Sequence, residues 1–474
     1  MKSRKIWSLL LCLALLFGCV SFAAQAAGSD GRTPSRVVCT FYGDAGTTRA
    51  FHWFTKEACA SQVKIGGRVV SGTAGKAFQG GYAHAVVVDG LTPGASYSYQ
   101  VGDGTSWSAE GQFAASAGAG ASSGFVALAD VQASTAEEFT DSAKLLGRAW
   151  ALLNNDKGFY VHLGDYTNNS DNTEWDYYFQ AFAPYATQMT HAPVAGNHDG
   201  ALKWNWFANM FTLKQQPGSV NLTGTYYSFD DGDAHYAVLN TNDMYPMSMQ
   251  QYNWLQNDLR QSGAKWKILF LHKGPFSAGN HVQSSDVVVL RNMLLPLIES
   301  LGVDLVMSGH DHVYYRSEPT AGGSLAGAER RTTADLPGGA ALRAALGGGG
   351  TAVSYQNPRG PIFILPDAGG PKRYQINSSL PSLIRTAAAE CFQPGQSVYT
   401  TVTIQGNDLT YRAYVFDAAA DKDVLFDQIT VTKTAAPAAP AGGKLLPTDY
   451  ITTLPLHLWH IVSAIYWLLA GAVD

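Results

Sequence analysis

From Phe125 onward, apolar runs of strand length alternate with longer helical patterns, and five of these runs end in residues that can ligate a metal. The ends read ALADVQ, HLGDYTN, AGNHD, LFLHKG and MSGHDH. They deliver Asp130, Asp165, Asn197 with His198, His272, and His310 with His312. Alternation of strand and helix predicts an α/β domain. In such domains sites form beyond the carboxyl ends of the strands. Two carboxylates, an amide oxygen and three imidazoles converging there are too many for one ion and suit two ions that share a carboxylate. His310 and His312 flank Asp311. In extended backbone both imidazoles enter one pocket, whereas a turn after Gly309 gives one to each ion. Taken singly, a Gly-Asp after a strand is more often a turn, a lone histidine there is more often packed or capped, and Asn-His-Asp is more often an Asx turn. Five such ends in one domain make chance a poor explanation.

Helical patterns run near 136–153, 173–183, 248–262 and 286–301, and TYYSFDDGDAHYAVLNT reads as a hairpin around Asp231-Gly232. Residues 319–355, rich in Gly and Ala, read as a flexible insertion rather than a structural element. Ahead of this region, residues 30–117 alternate apolar and polar positions between turns such as LTPGASY, which predicts a small all-β sandwich.

The ends of the chain carry a different signal. Lys2, Arg4 and Lys5 precede an apolar stretch and Ala24-Gln25-Ala26, so residues 1–26 are expected to be a secretory signal. Leu16-Phe17-Gly18-Cys19 offers a second reading, with lipidation at Cys19. Residues 434–474 form a linker and an apolar tail. The tail's uninterrupted part is shorter than the ~20 residues that span a bilayer, and it reads equally as a docking or interfacial helix. The expected location is secreted or extracytoplasmic, with envelope association through Cys19 or the tail left open. There are 32 basic and 37 acidic residues, for a net charge of -5. No basic stripe is present, which argues against a nucleic-acid partner. Beyond the signal, Cys39, Cys59 and Cys391 remain, an odd number. Either Cys39 and Cys59 form one bridge or these are buried free thiols.

The order Asp, Gly-Asp, Gly-Asn-His-Asp, His, Gly-His-x-His resembles the calcineurin-like metallophosphoesterase superfamily. GGYAHAVVVDGLTPGASYSYQVGDG resembles the fibronectin-III-like domain that precedes the catalytic domain of purple acid phosphatases, and GHDHVYYR and GPIFILPDAGGPKRY also resemble that group. The resemblance covers about residues 33–433 except the 319–355 insertion. It implies a four-layer αββα metallophosphoesterase sandwich over residues 118–433, behind a small all-β sandwich at 30–117. It further implies that Asp165 bridges two divalent or mixed-valence ions (zinc, iron or manganese). Asp130 and His312 would serve the first ion, and Asn197, His272 and His310 the second. His198 would be the catalytic acid and Asp199 would orient its imidazole. The implied reaction is hydrolysis of a phosphoric ester, either monoester or diester, in which metal-activated hydroxide attacks phosphorus and His198 protonates the leaving oxygen. The substrate would be a phosphorylated small molecule or an envelope component.

Two positions depart from the resemblance. Purple acid phosphatases carry an iron(III)-ligating tyrosine three residues after the bridging aspartate, where this chain has Asn168. Tyr166 is expected to point away from Asp165, so an iron(III)-tyrosinate centre is not expected. After Asp130 the chain has Gln132, which, like Asn168, can ligate a metal weakly or hydrogen-bond a ligand. His281 reads either as a substrate contact or as a solvent-exposed loop residue. Trp204, Trp206 and Phe207 read as core packing or as a pocket wall. These departures leave a second class open, an envelope binding protein that keeps the fold with weak or no catalysis.

Overall fold

The computed structural model describes residues 31–434 other than 154–157, 200–205, 215, 217–224, 243–248 and 322–323. The expected signal, Cys19, Trp204 and the apolar tail lie outside the described residues. Two sheets of 12 and 7 strands face each other, and helices cover their outer faces. The strand Trp266–Lys273 shows why an apolar run results. Ile268 and Phe270 point into the core between the sheets, while Leu269 and Leu271 point at the helices. A strand buried on both faces cannot alternate apolar with polar. The inter-sheet core is strongly aromatic. Phe125 of one sheet meets Tyr236 and Phe270 of the other edge-on, at 5.9 Å and 5.2 Å between ring centroids, the geometry favoured by ring quadrupoles.

The helices Ala136–Leu153 and Asn172–Ala186 pack on the larger sheet, and Met249–Gln261 and Ser285–Ser300 on the smaller, giving four layers. All four lie close to their sequence patterns. Asp171 fixes the start of the second helix by accepting the Glu174 amide at 2.9 Å, the usual service of an N-cap carboxylate. The hairpin forms as expected, with Tyr227–Asp231 against Ala234–Val238.

The 319–355 expectation is corrected. Arg330–Asp335 pairs with Thr351–Gln356, which joins Lys422–Thr432 in parallel and so extends the larger sheet. A short helix, Gly339–Leu346, connects the two strands. Only Val353 and Tyr355 of Thr351–Gln356 are buried. That leaves too little apolar alternation to stand out against the surrounding Gly and Ala.

The front sandwich shares its sheet with the domain behind it. Ser35–Phe41 pairs in parallel with Thr190–Pro193, Thr40 opposite His191. Buried Arg49 bonds Thr190 Oγ1 at 3.0 Å and the Ala45 carbonyl at 2.6 Å. The Cys39–Cys59 bridge does not form. Neither cysteine is in a disulfide, and burial pushes the Cys39 thiol up to about 12.

Between the two large sheets, Arg316 Nε and Nη2 donate to Asp427 at 2.6 Å and 3.0 Å, and the Tyr314 hydroxyl donates to the same carboxylate at 2.6 Å. A buried charge left unpaired costs about 3–5 kcal/mol, so this group ties the sheets into one unit. His235 sits between Asp230 and Asp258, at 2.8 Å from each. Burial would lower its pKa, but the two carboxylates outweigh that and hold it at about 9 against the usual 6.5. The folded chain therefore keeps a proton that the unfolded chain releases above 6.5. The resulting stabilisation, about 2–3 kcal/mol, is complete below that value and disappears as pH rises through the folded pKa. Urea unfolding at about pH 6, 8 and 10 should show this loss in the natural chain and not in His235→Gln. Equal pH slopes in the two would refute it.

Candidate metal centre

Strands from both sheets end at one edge, and each delivers a side chain there. Asp130 follows Ser123–Leu128, Asp165 follows Phe159–His162, and Asn197 and His198 follow Thr190–Pro193. His272 lies near the end of Trp266–Lys273, and His310 and His312 follow Leu305–Gly309. The ligand atoms of Asp165, His272 and His310 lie within 4.8 Å of one another, as do those of Asp130, Asp165 and His312. Asp165 belongs to both groups. GHDH thus gives one imidazole to each, the turn reading rather than the extended one. His310 and His312 have φ of 83° and 39°.

The backbone is bent to make this possible. Of the eleven non-glycine residues with positive φ among the described residues, Asp130, Gln132, Asp165, His310, His312 and Asp367 cluster here. Such conformations cost on the order of 1–3 kcal/mol each and persist where the surroundings enforce them. Gly164, with φ of 93°, turns the chain into Asp165, and a Cβ there would collide with the His272 ring.

Hydrogen bonds aim the imidazoles. His272 Nδ1 is 2.9 Å from the Leu163 carbonyl, so Nε2 faces inward, 3.2 Å from Asp165 Oδ2 and 3.0 Å from Asn197 Oδ1. His312 Nδ1 bonds the Lys372 carbonyl at 3.3 Å. Its Nε2 is buried without a hydrogen-bond partner, 3.4 Å from Asp130 Oδ1, and Gln132 Oε1 is likewise buried and unpartnered. Asp130, Asp165, His272 and His312 are 0–1% exposed. Burial opposes charge on His272, but Asp165 prevails and holds it up to about 9; Asp165 itself is held below the usual carboxylate range by His272. Carboxylate, amide oxygen and imidazole thus converge on one point. Orphaned donor atoms and a buried anion of this kind fit cations.

His198 lies beside both groups without belonging to either. Its Nδ1 is 2.7 Å from the Asn168 carbonyl, and its backbone amide donates to Asp165 Oδ1 at 2.8 Å. Two expectations change here. Asp199 does not orient the His198 imidazole. Its buried carboxylate instead accepts the amides of Asp165 at 2.9 Å, Tyr166 at 2.7 Å and Gly196 at 2.7 Å, fastening the two ligand loops together. Burial and the Asp165 carboxylate push Asp199 up to about 8. Asn168 does not turn its amide to the cluster: its side-chain oxygen accepts from Lys372 Nζ, and its carbonyl steadies His198. Gln132 stays at the centre through its unpartnered side-chain oxygen, and its backbone N–H donates to the Asp165 carbonyl at 2.9 Å. Tyr166 points away, its hydroxyl 3.1 Å from His191 Nε2 and its ring stacked on His162 at 3.7 Å. His281 is brought to the site, with its ring 4.3 Å from that of His310. Trp206 and Phe207 are core residues.

Residues 124–314 match the calcineurin-like phosphoesterase family, and residues 31–115 match the purple acid phosphatase N-terminal domain. The chain thus joins a purple acid phosphatase N-terminal domain to a calcineurin-like phosphoesterase domain. Acid phosphatase type 7 of Mus musculus is 24% identical over 378 residues, 71% of this chain and 78% of that protein. The Homo sapiens protein of the same name is 24% identical over 400 residues, 76% and 82% respectively. Among solved structures, a purple acid phosphatase from yellow lupin (Lupinus luteus) seeds superposes with a TM-score of 0.67 at 18% identity, over 85% of this chain and 75% of that one. PhoD gives 0.59 at 12%, over 92% and 100%. Both share the fold.

Several residues that shape the site are not among those predicted from the sequence. Asp311, between the two histidines, accepts from the Ser277 hydroxyl at 2.5 Å and the His281 amide at 3.0 Å, anchoring the loop that brings His281 in. Asp367, buried after Ile362–Pro366, is pushed up to about 7 by burial, with Arg373 opposing. Tyr374 stacks on His312 at 4.3 Å. A sixth strand end, LPDAGG, was the available clue to Asp367.

Proposed function

We propose that this metallophosphoesterase hydrolyses phosphoric esters outside the cytoplasm, at two ions bridged by Asp165. The observation that carries the reading is the membership of Asp165 in both ligand groups, with a half-exposed His198 beside them. Asp130 and His312 would hold the first ion, and Asn197, His272 and His310 the second. Zinc, iron and manganese all suit this nitrogen–oxygen set. When bound, the ions supply positive charge to the phosphoryl oxygens and acidify a water to hydroxide near neutral pH.

The chain's own residues do the rest. Asp199 fixes the loops that set the spacing of Asp165 and Asn197. With Nδ1 donating to the Asn168 carbonyl, His198 is held in one orientation and Nε2 is its remaining proton site, available to the leaving oxygen. His281 lines the approach beside His310. The basic and apolar leader supports export, and a phosphorylated small molecule or envelope component is the substrate class.

Assays of p-nitrophenyl phosphate and bis(p-nitrophenyl) phosphate with added zinc, manganese and iron test this. Turnover of at least one ester is expected. Bound metal without turnover of either would favour the envelope binding protein. Tyr166 is committed to the core, and burial raises its phenol well above the usual range. The iron-loaded protein should therefore lack the visible charge-transfer band of a tyrosinate. A strong band there would contradict the assignment of Asn168 and Tyr166.

A further inference from the structure

We infer that Lys372 is a substrate-binding residue whose ammonium takes a non-bridging phosphoryl oxygen and favours dianionic monoesters over monoanionic diesters. This rests on the hydrolase reading and names its substrate class. Lys372 touches both sides of the centre. Its carbonyl receives His312 Nδ1 at 3.3 Å, and its Nζ donates to Asn168 Oδ1, whose backbone carbonyl holds His198 Nδ1 at 2.7 Å. One residue thereby spans from the ligand of the first ion to the support of the acid.

The placement is rigid. Arg373 Nη1 binds the carbonyls of Gly370 and Lys372, each at 2.6 Å, and its Nη2 binds Ser397 Oγ at 2.7 Å. The Tyr374 amide donates to the His312 carbonyl at 3.2 Å, and its ring lies flat on the His312 ring. A flexible lysine stem normally spends rotamer entropy when it binds; here the backbone under it is already fixed.

The charge is also left available. Lys273, another lysine near the centre, is committed to Asp286 at 2.7 Å. Lys372 is half-buried, its partner is a neutral amide oxygen, and among the described residues it makes no ion pair with a carboxylate. An ammonium has three donors, and a partly desolvated one without a counter-charge is matched by an incoming anion. A phosphomonoester carries about two negative charges near neutral pH, whereas a diester carries one, so the same ammonium gains more from the monoester.

The test uses metal-loaded full-length protein and the variants Lys372→Met and Lys372→Arg. Calorimetric titration with inorganic phosphate should show binding about 10- to 100-fold weaker in Lys372→Met, the worth of one charge-assisted hydrogen bond, with most of it retained in Lys372→Arg. The kcat/KM ratio of p-nitrophenyl phosphate to its bis ester should fall in Lys372→Met, chiefly through KM of the monoester. Unchanged phosphate affinity would overturn the inference. So would an equal loss of kcat on both esters with KM intact, which would make Lys372 only a prop for Asn168 and His198, and so would loss of metal. If the natural chain binds phosphate but hydrolyses neither ester, the hydrolase reading fails while the phosphate titration still decides Lys372.

Discussion

In Asp165→Asn both metal positions are expected to empty together. Asparagine keeps the size of the side chain and an oxygen that can accept the His198 amide, now 2.8 Å from Asp165 Oδ1. The backbone amide of residue 165 remains on Asp199. The loop therefore has every reason to keep its shape. What is lost is the one negative charge common to both ligand groups, in a site where low polarisability of the surroundings magnifies each charge. Metal per chain, measured after gel filtration, should fall from two toward zero. Turnover should fall by well over the ~10–100-fold that follows loss of even an outer partner of a ligand. Asp130→Asn is the contrast, since Asp130 serves one group only. A chain that keeps two ions without the Asp165 carboxylate would end the bridging assignment, provided near-ultraviolet circular dichroism shows an intact fold.

The parts of this site that could be read in the sequence are those with a local signature. A strand ending in Gly-Asp, or GHDH after an apolar run, announces itself because the strand and the ligand are neighbours in the chain. The four helices were legible for the same reason. What escaped reading depends on partners far apart or on atoms every residue owns. Asp199 looked like a companion of His198 because it is adjacent, yet its acceptors serve amides more than thirty residues earlier. Asn168 orients His198 through a backbone carbonyl, and no side-chain pattern can signal a carbonyl. Lys372 and Tyr374 reach the centre because the parallel strand Ile362–Pro366 returns the chain to the same edge, a consequence of topology. Thr351–Gln356 was missed because an outlying strand with two buried side chains has little pattern to show.

His198→Ala is expected to cut turnover by about 10²–10⁴-fold, the range for loss of a positioned general acid, while both ions stay bound. The imidazole belongs to neither ligand group. The backbone bonds of residue 198, to Asp165 Oδ1 at 2.8 Å and from Thr167 Oγ1 at 3.1 Å, survive in alanine. The loss should also depend on the leaving group. An alkyl phosphate expels a strongly basic alkoxide that needs the proton, whereas p-nitrophenolate departs as a stable anion and needs it less. The deficit should therefore approach the upper end of the range on an alkyl ester and the lower end on p-nitrophenyl phosphate. Equal losses on both would move His198 from proton donor to phosphoryl-binding group. Loss of a metal in this variant would make it a ligand, and the assignment of Asn197, His272 and His310 as a complete set for the second ion would fall with it.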